Sequence, residues 1–386
     1  FFKQKTAYEI RLSLVGSEMC IRDRLTILML TFFVVMHEAG HYFAARYSKV
    51  AVSEFFVGFG PKIFSFKRNG TEYGLKGIPF GGYVKIPGMD ESEQVEGYED
   101  SELFHTSKWT TKLFIASAGI IVNFLTAWIM IFAIFITNGV TQPTLNIETI
   151  GDSINQQDSS PSQSAGLRPG DTIIQFNGQD VETWDQLVSI IEVNPGQEVS
   201  IKYLRGNSIY LTSAILETRD INGSEIGYLG VSPVIQQTDV GILDAALFTT
   251  SLEIEMTVAA VDGIFTLLSP DNIRTLLGTY SGEIVPDEAR PLSPIGLAQA
   301  GSQIADNGYI NLFSLLAFVN VFLAVFNAIP LIPLDGGRVL LSLIEGVTGK
   351  KISDKKLYPV AAVVIVVFVF IGITAFYLDI TQPINL

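Results

Sequence analysis

TFFVVMHEAGHYFAARY, Thr31 to Tyr47, decides how the rest of the chain reads. It starts as an apolar run fit for a bilayer and then sets His37, Glu38 and His41 inside that run. Ionisable groups at bilayer depth are costly and need partners. In a helix, residues i and i+4 share one face, so both imidazoles can reach one ion. HExxH on a helix is the pattern of two zinc ligands with a general base beside them, here Glu38. Zn2+ takes imidazole nitrogen at about 2.0–2.1 Å, and a catalytic zinc keeps one position open for water. Two histidines packed between helices are the competing reading. It leaves polar groups in an apolar run without gain, and two of the chain's three histidines fall here.

Two imidazoles leave the ligand set one short. FNAIPLIPLDGGRVL, Phe326 to Leu340, offers Asp335. Pro330 and Pro333 lack amide protons and break regular helix, and Gly336 and Gly337 permit unusual backbone angles. An apolar helix is therefore expected to unwind there and present a carboxylate. An ordinary helix-capping Asp is the alternative. Irregular backbone at membrane depth is tolerated only where protein buries it or a wet cavity receives it.

The 386 residues are 48% hydrophobic with a net charge of −14. With a mean hydropathy of +0.37, this points to several spans and away from nucleic acid as a partner. A spanning helix needs roughly 20 mostly apolar residues. Leu25–Tyr47, Leu113–Thr137, Tyr309–Ile329 and Tyr358–Leu378 meet that length. Gly241–Ser269 is apolar too but holds Asp244, Glu253, Glu255 and Asp262, so we expect one or two amphipathic helices on the membrane surface. Lysines and arginines crowd 46–112 and 330–357, which places those loops in the cytoplasm and 138–308 outside. Cys20 is the only cysteine, so a cysteine-based zinc site is excluded.

Within 145–218, short alternating strands surround one helix near Thr183–Ile191, with turn signals at Gly170-Asp171 and Asn177-Gly178. Ala165-Gly166-Leu167, Pro169-Gly170-Asp171, Ile174, Asn177 and Gly178 resemble a bacterial PDZ domain, a module that accepts an extended peptide as an added strand. A spacer or size filter is the plainer reading. Residues 1–24 resemble a translated sequencing-adapter string.

HExxH in the first span, a PDZ-like insert and NxxPxxPLDGG before the last span together resemble the site-2 protease family of intramembrane zinc metalloproteases, closest to the bacterial type that releases envelope-stress sigma factors. The resemblance implies a four-span α-helical polytopic membrane protein with a membrane-associated β-hairpin and one inserted α+β PDZ domain. It implies Zn2+ held by His37, His41 and Asp335, with Glu38 as catalytic acid/base. FFVGFGPKIFSF and GTEYGLKGIPFGGYVKIPGM resemble the family's hairpin, and LSPIGLAQ (Leu292–Gln299) the segment before the third span. Gly81 and Gly82, with Tyr83, are implied to offer an edge strand to an unwound substrate. Asn123 and Asn327 become candidates for holding substrate backbone or a developing oxyanion, with interhelical hydrogen bonding as their plainer role. Asn320 fits the plainer role better. Relatives often read GPxxN in the second span, whereas Ile120 follows Gly119 here. Arg338 stands where relatives often carry His.

The domain reading is 1–24 non-native, 25–144 two spans with the HExxH and the cytoplasmic hairpin, 145–218 an extracytoplasmic PDZ domain, 219–308 a linker with surface helices, and 309–386 the last two spans. The expected function is an endopeptidase of the bacterial inner membrane. Its partners would be a single-span membrane substrate, such as an anti-sigma factor, and an extracytoplasmic peptide end at the PDZ domain. The alternative is a non-catalytic scaffold with a structural zinc.

Overall fold

The computed structural model describes residues 7–89, 97–151, 159–221, 224–281, 285–286, 290–306, 308–352 and 357–384. In chain order the elements are α1 (Ala7–Tyr47), β1 (Glu54–Arg68), β2 (Thr71–Lys85), α2 (Trp109–Asn138), β3 (Val140–Ile150) and α3 (Pro161–Ser164). Next come β4 (Thr172–Phe176), β5 (Gln179–Asp180), α4 (Trp184–Glu192), β6 (Glu198–Arg205), β7 (Ser208–Ile215), β8 (Glu217–Ile221), β9 (Ser224–Tyr228) and β10 (Val231–Thr238). The chain closes with α5 (Ile242–Leu267), α6 (Pro270–Gly278), α7 (Pro294–Asp306), α8 (Tyr309–Ala328), α9 (Asp335–Thr348) and α10 (Tyr358–Thr381). The fold divides into two compact units, residues 1–134 with 246–386, and residues 135–245.

The first unit is the helical one. Among the described residues, four helices are long and apolar enough to cross a membrane: Arg24–Tyr47, Trp109–Asn138, Tyr309–Ala328 and Tyr358–Thr381. These are the four expected spans. Ile121, Leu125 and Ile129 on α2 are exposed at four-residue intervals, and Val363, Val366, Val369 and Ile373 along α10 at intervals of three or four. Apolar stripes of that size, left bare on a soluble protein, would mark an interaction surface; on a span they face lipid. Inside the unit, Leu30 and Phe33 of α1 pack with Ala305, Leu312 and Leu316 of α7 and α8. Helix α1 stops where Lys49 turns left-handed (φ 61) and the Val50 amide reaches back to the Ala45 carbonyl, a Schellman-type end.

Helix α5 covers the acid-bearing apolar stretch. It is one continuous helix, and its Ala260 and Ile264 pack with Ala127 of α2 and Val321 and Val325 of α8. The four acids argued against a span, but this packing joins distant segments and leaves no local pattern in the sequence.

Strands β1 and β2 form the hairpin. Glu54–Val57 has partners on both sides, Glu72–Leu75 and Gly82–Lys85, while Arg68 to Lys62 pairs with Thr71 to Lys76. Gly82–Lys85 thus forms one border of this small sheet. Ile63, Phe64, Phe66 and Ile78 stand exposed among Lys62, Lys67 and Lys76.

The second unit is a six-stranded sheet, in the order β10-β3-β4-β6-β7 with β5 on β4, over a core that includes Ile147, Ile173, Phe176, Leu187 and Ile201. Asp171 of the PGD turn explains that motif. It accepts from the Arg168 amide at 2.7 Å and takes the Arg205 guanidinium in a two-pronged pair at 2.8 Å, fixing the loop to β6. The unit outruns the 145–218 boundary expected from sequence. Strand β10 returns to pair with β3, with Thr238 opposite Val140 and Val231 opposite Ile150. A pairing across some 80 residues leaves no local pattern to read.

The LSPIGLA stretch opens α7 and is clamped by the far end of α10. Asp379, 2% exposed, accepts from the amides of Ser293 (2.8 Å) and Gly296 (3.1 Å) and pairs with Arg290 at 2.8 Å. Removing one partner of a buried pair typically costs about 3–5 kcal/mol, because the other charge is left uncompensated. Asp379→Ala is therefore expected to lower the thermal midpoint of the detergent-solubilised protein clearly, while an exposed-site control such as Lys350→Ala does not. An unchanged midpoint would show that the clamp does not hold α7.

Candidate metal centre

HEAGH lies on α1 and turns both imidazoles to the side where the DGG turn opens α9. His37 Nε2 is 2.9 Å and His41 Nε2 3.1 Å from Asp335 Oδ2, and the two Nε2 atoms are 3.2 Å apart. Donors at about 2.0–2.1 Å around a tetrahedral zinc stand about 3.3 Å from one another. The three atoms already have close to that spacing, and the donor chemistry, two imidazoles and a carboxylate, suits zinc. Both histidines are buried and Asp335 half-buried. A carboxylate must be an anion to act as a ligand, and Asp335 Oδ2 is the oxygen turned to both imidazoles.

The tautomer of His41 is set from behind. Its Nδ1 lies 2.7 Å from the Ile115 carbonyl, which can only accept, so Nδ1 carries the proton and Nε2 turns its lone pair to the site. Such an outer hydrogen bond is usual for metal-ligating histidine. His37 has no such support; its buried Nδ1 lacks a hydrogen-bond partner among the described residues.

Asp335 is delivered by a turn that only glycine fits. A Cβ at Gly336 would lie 2.2 Å from the Ala328 carbonyl oxygen, and one at Gly337 2.7 Å from the Ile332 nitrogen. The end of α8 and the start of α9 are thus pressed together at DGG. Gly119 of α2 is the residue that sequence reading passed over. A Cβ there would fall 2.4 Å from His41 Nε2 and 2.8 Å from His37 Nε2, in the space a metal needs. The signal was in the small-residue run Ser117-Ala118-Gly119, and Gly40 of HEAGH packs on the Ala118 carbonyl in the same crossing.

Glu38 points to the hairpin. Its Oε2 accepts from the Val84 amide at 2.9 Å, on the border strand Gly82–Lys85. The carboxylate is thereby held beside the donors instead of swinging free. Gly81 and Gly82 are buried at the same border, and the Gly82 backbone lies against Val35 of α1. Burial and a hydrogen bond to Glu54 push the Tyr83 phenol up to about 12, so it remains a donor pinning that strand.

Asn123 is 1% exposed on α2, one helical turn beyond Gly119, and its side-chain oxygen has no partner among the described residues. Asn320 of α8 donates to the Asn123 backbone carbonyl at 2.8 Å, which is the interhelical role expected of it. Asn327 lies half-buried in the last turn of α8, ahead of the proline turn.

A model of peptidase family M50 matches residues 25–371. Among curated relatives, the Bacillus subtilis regulator of sigma-W protease RasP is 26% identical, covering 86% of this chain and 91% of its own. The Mycobacterium tuberculosis zinc metalloprotease Rip1 is 26% identical over 93% of this chain and 97% of its own. Among solved structures, the PDZ domain of an SdrC-like protein from Listeria monocytogenes aligns with 25% of this chain and 92% of its own, at 21% identity and a TM-score of 0.20.

If Gly119 keeps the ion's space open, Gly119→Val should cut bound zinc, measured by atomic absorption on purified protein, from one per chain to a small fraction. Gly372→Val, at an uncrowded position of α10, should leave it at one. Full zinc in Gly119→Val would contradict the assignment of that space.

Proposed function

This chain belongs to peptidase family M50 and is a zinc metalloprotease, and from that premise we propose that it cuts single-span membrane proteins within or near the bilayer, in regulated intramembrane proteolysis of the sigma-factor-releasing type. The observation that carries this reading is the meeting of His37, His41 and Asp335, from two helices, beside a carboxylate tethered to a strand border.

The ion, when bound, supplies Lewis-acid chemistry, acidifying water and polarising a carbonyl. The rest falls to the chain. His37, His41 and Asp335 would hold the ion, a three-donor set of the kind catalytic zinc sites use. Glu38 takes the proton from the attacking water and passes it to the leaving amine. A substrate helix hides its amides in i to i−4 bonds and must unwind first. The Gly81–Tyr83 border offers replacement hydrogen bonds to an extended segment. Asn123, buried with an unsatisfied oxygen, is suited to accept a substrate amide freed by that unwinding. Asn327, in the turn that leads to Asp335, is the second candidate for substrate contact.

The sheet unit reads as an extracytoplasmic PDZ-like domain that selects substrates by the end or size of their outer portion. The basic loops 46–112 and 330–357 orient the chain in the cytoplasmic membrane, with the metal centre toward the cytoplasmic helix ends.

Glu38→Gln should abolish cleavage of a model single-span substrate by purified protein in proteoliposomes, by about 10²-fold or more as for loss of a general base, while zinc content stays at one per chain. Undiminished cleavage would exclude Glu38 as the proton carrier. Retained zinc with no cleavage by wild-type protein of any single-span substrate would favour the scaffold reading.

A further inference from the structure

Asp335 opens α9, and the far end of that helix is tied to α2. Lys112 Nζ lies 2.7 Å from Glu345 Oε2, with 8% and 18% of the two side chains exposed. Beside the pair, Gly346 packs on the indole of Trp109, where a Cβ would lie 2.6 Å from a ring carbon. Neither charge serves its own helix. Lys112 stands in the first turn of α2 and Glu345 in the last turn of α9. Those are the ends at which the helix dipole disfavours a cation and an anion respectively. Each charge is accounted for only by the other.

Helix α2 carries three grips on one face. Lys112, Ile115 and Gly119 follow one another at spacings of three and four, which fall on one side of a helix. Lys112 takes Glu345 of α9, the Ile115 carbonyl takes His41 Nδ1 at 2.7 Å, and Gly119 leaves room beside both imidazoles. Asp335 meets the histidines at the Gly119 end of this stretch, and Glu345 meets Lys112 at the other. At 1.5 Å per residue, Asp335 and Glu345 stand about 15 Å apart along α9, and Gly119 and Lys112 about 10 Å apart along α2. A helix held at its far end cannot slide or tilt without carrying Asp335 with it. A buried ion pair adds little net stability over an apolar contact, and its best attested use is to fix register. We propose that Lys112 and Glu345 are a positioning pair for the metal centre: they set where α9 lies along α2, and so where Asp335 meets His37 and His41. The proposal rests on the donor set His37, His41 and Asp335 of the function proposed above.

The test measures zinc affinity of the full chain in lipid nanodiscs, by competition with a chromogenic chelator, together with the thermal midpoint of the zinc-free protein. Lys112→Met/Glu345→Leu replaces the pair with an apolar contact that packs without direction. It should keep the zinc-free midpoint near that of the wild type and weaken zinc about tenfold or more, the usual scale for loss of an outer support. The exchanged pair, Lys112→Glu/Glu345→Lys, sets each charge at the helix end that favours it and should bring affinity back close to the wild-type value. Glu345→Gln decides the matter if the apolar variant does not fold, and should also weaken zinc. Asp379→Ala, which breaks a buried pair elsewhere in the same unit, should lower the midpoint and leave zinc affinity as it was. Wild-type affinity in the apolar variant or in Glu345→Gln would overturn the proposal, as would a loss that the exchanged pair does not restore. An equal loss in Asp379→Ala would show that zinc follows stability and not register, and would overturn it too. Asp335→Ala separates this from a wrong donor set. Undiminished zinc affinity there removes the donor set and the proposal with it, whereas a loss there beside full affinity in the apolar variant removes the positioning pair alone.

Discussion

Three donor atoms must meet within about 3 Å although they come from α1 and from a turn nearly 300 residues later. Everything around the metal centre serves that meeting. The crossing of α1 and α2 is close because Gly40 and Gly119 carry no side chains at the contact. The DGG turn folds tightly enough to deliver Asp335 because Gly336 and Gly337 lie against the end of α8. Small residues at helix crossings are the usual way membrane bundles bring backbones together, since lipid offers no hydrophobic drive for it. Here the same device also clears a space of ionic size.

A second constraint concerns the Glu38 carboxylate. A free glutamate beside two imidazoles would sample several rotamers, and a proton carrier must stand within hydrogen-bond reach of its water. The Val84 amide removes that freedom. The same strand border is the surface on which an extended substrate segment would add. On the proposed reading, proton carrier and substrate platform are tied by one hydrogen bond, so a displaced hairpin would disturb both together. The Tyr83 hydroxyl, donating to Glu54, fixes the border to the neighbouring strand.

What was legible in the sequence follows from how severe each constraint is. A bilayer tolerates few deviations from long apolar helices, so the four spans were plain. HExxH and LDGG were plain because polar groups in apolar runs demand a reason. Features built from contacts between distant segments were not. The return of β10 to β3, the Asp379 clamp on α7 and the packing of α5 against α2 and α8 each join residues with no shared local pattern. Gly119 was seen only as half of a motif lacking its proline. Its importance lies in what it omits, a Cβ, and an omission has meaning only once the neighbours are placed. The turns of the sheet unit are readable in the sequence, whereas the return of β10 to β3, which carries its sheet beyond 145–218, is not.

The most direct test of the central claim is zinc K-edge X-ray absorption on the purified protein in lipid nanodiscs. The account predicts a light-atom shell at about 2.0–2.1 Å with two imidazole signatures and a carboxylate oxygen, and the loss of one oxygen contribution in Asp335→Ala. A spectrum with two imidazoles that is unchanged in Asp335→Ala, or one with fewer than two imidazoles, would contradict it.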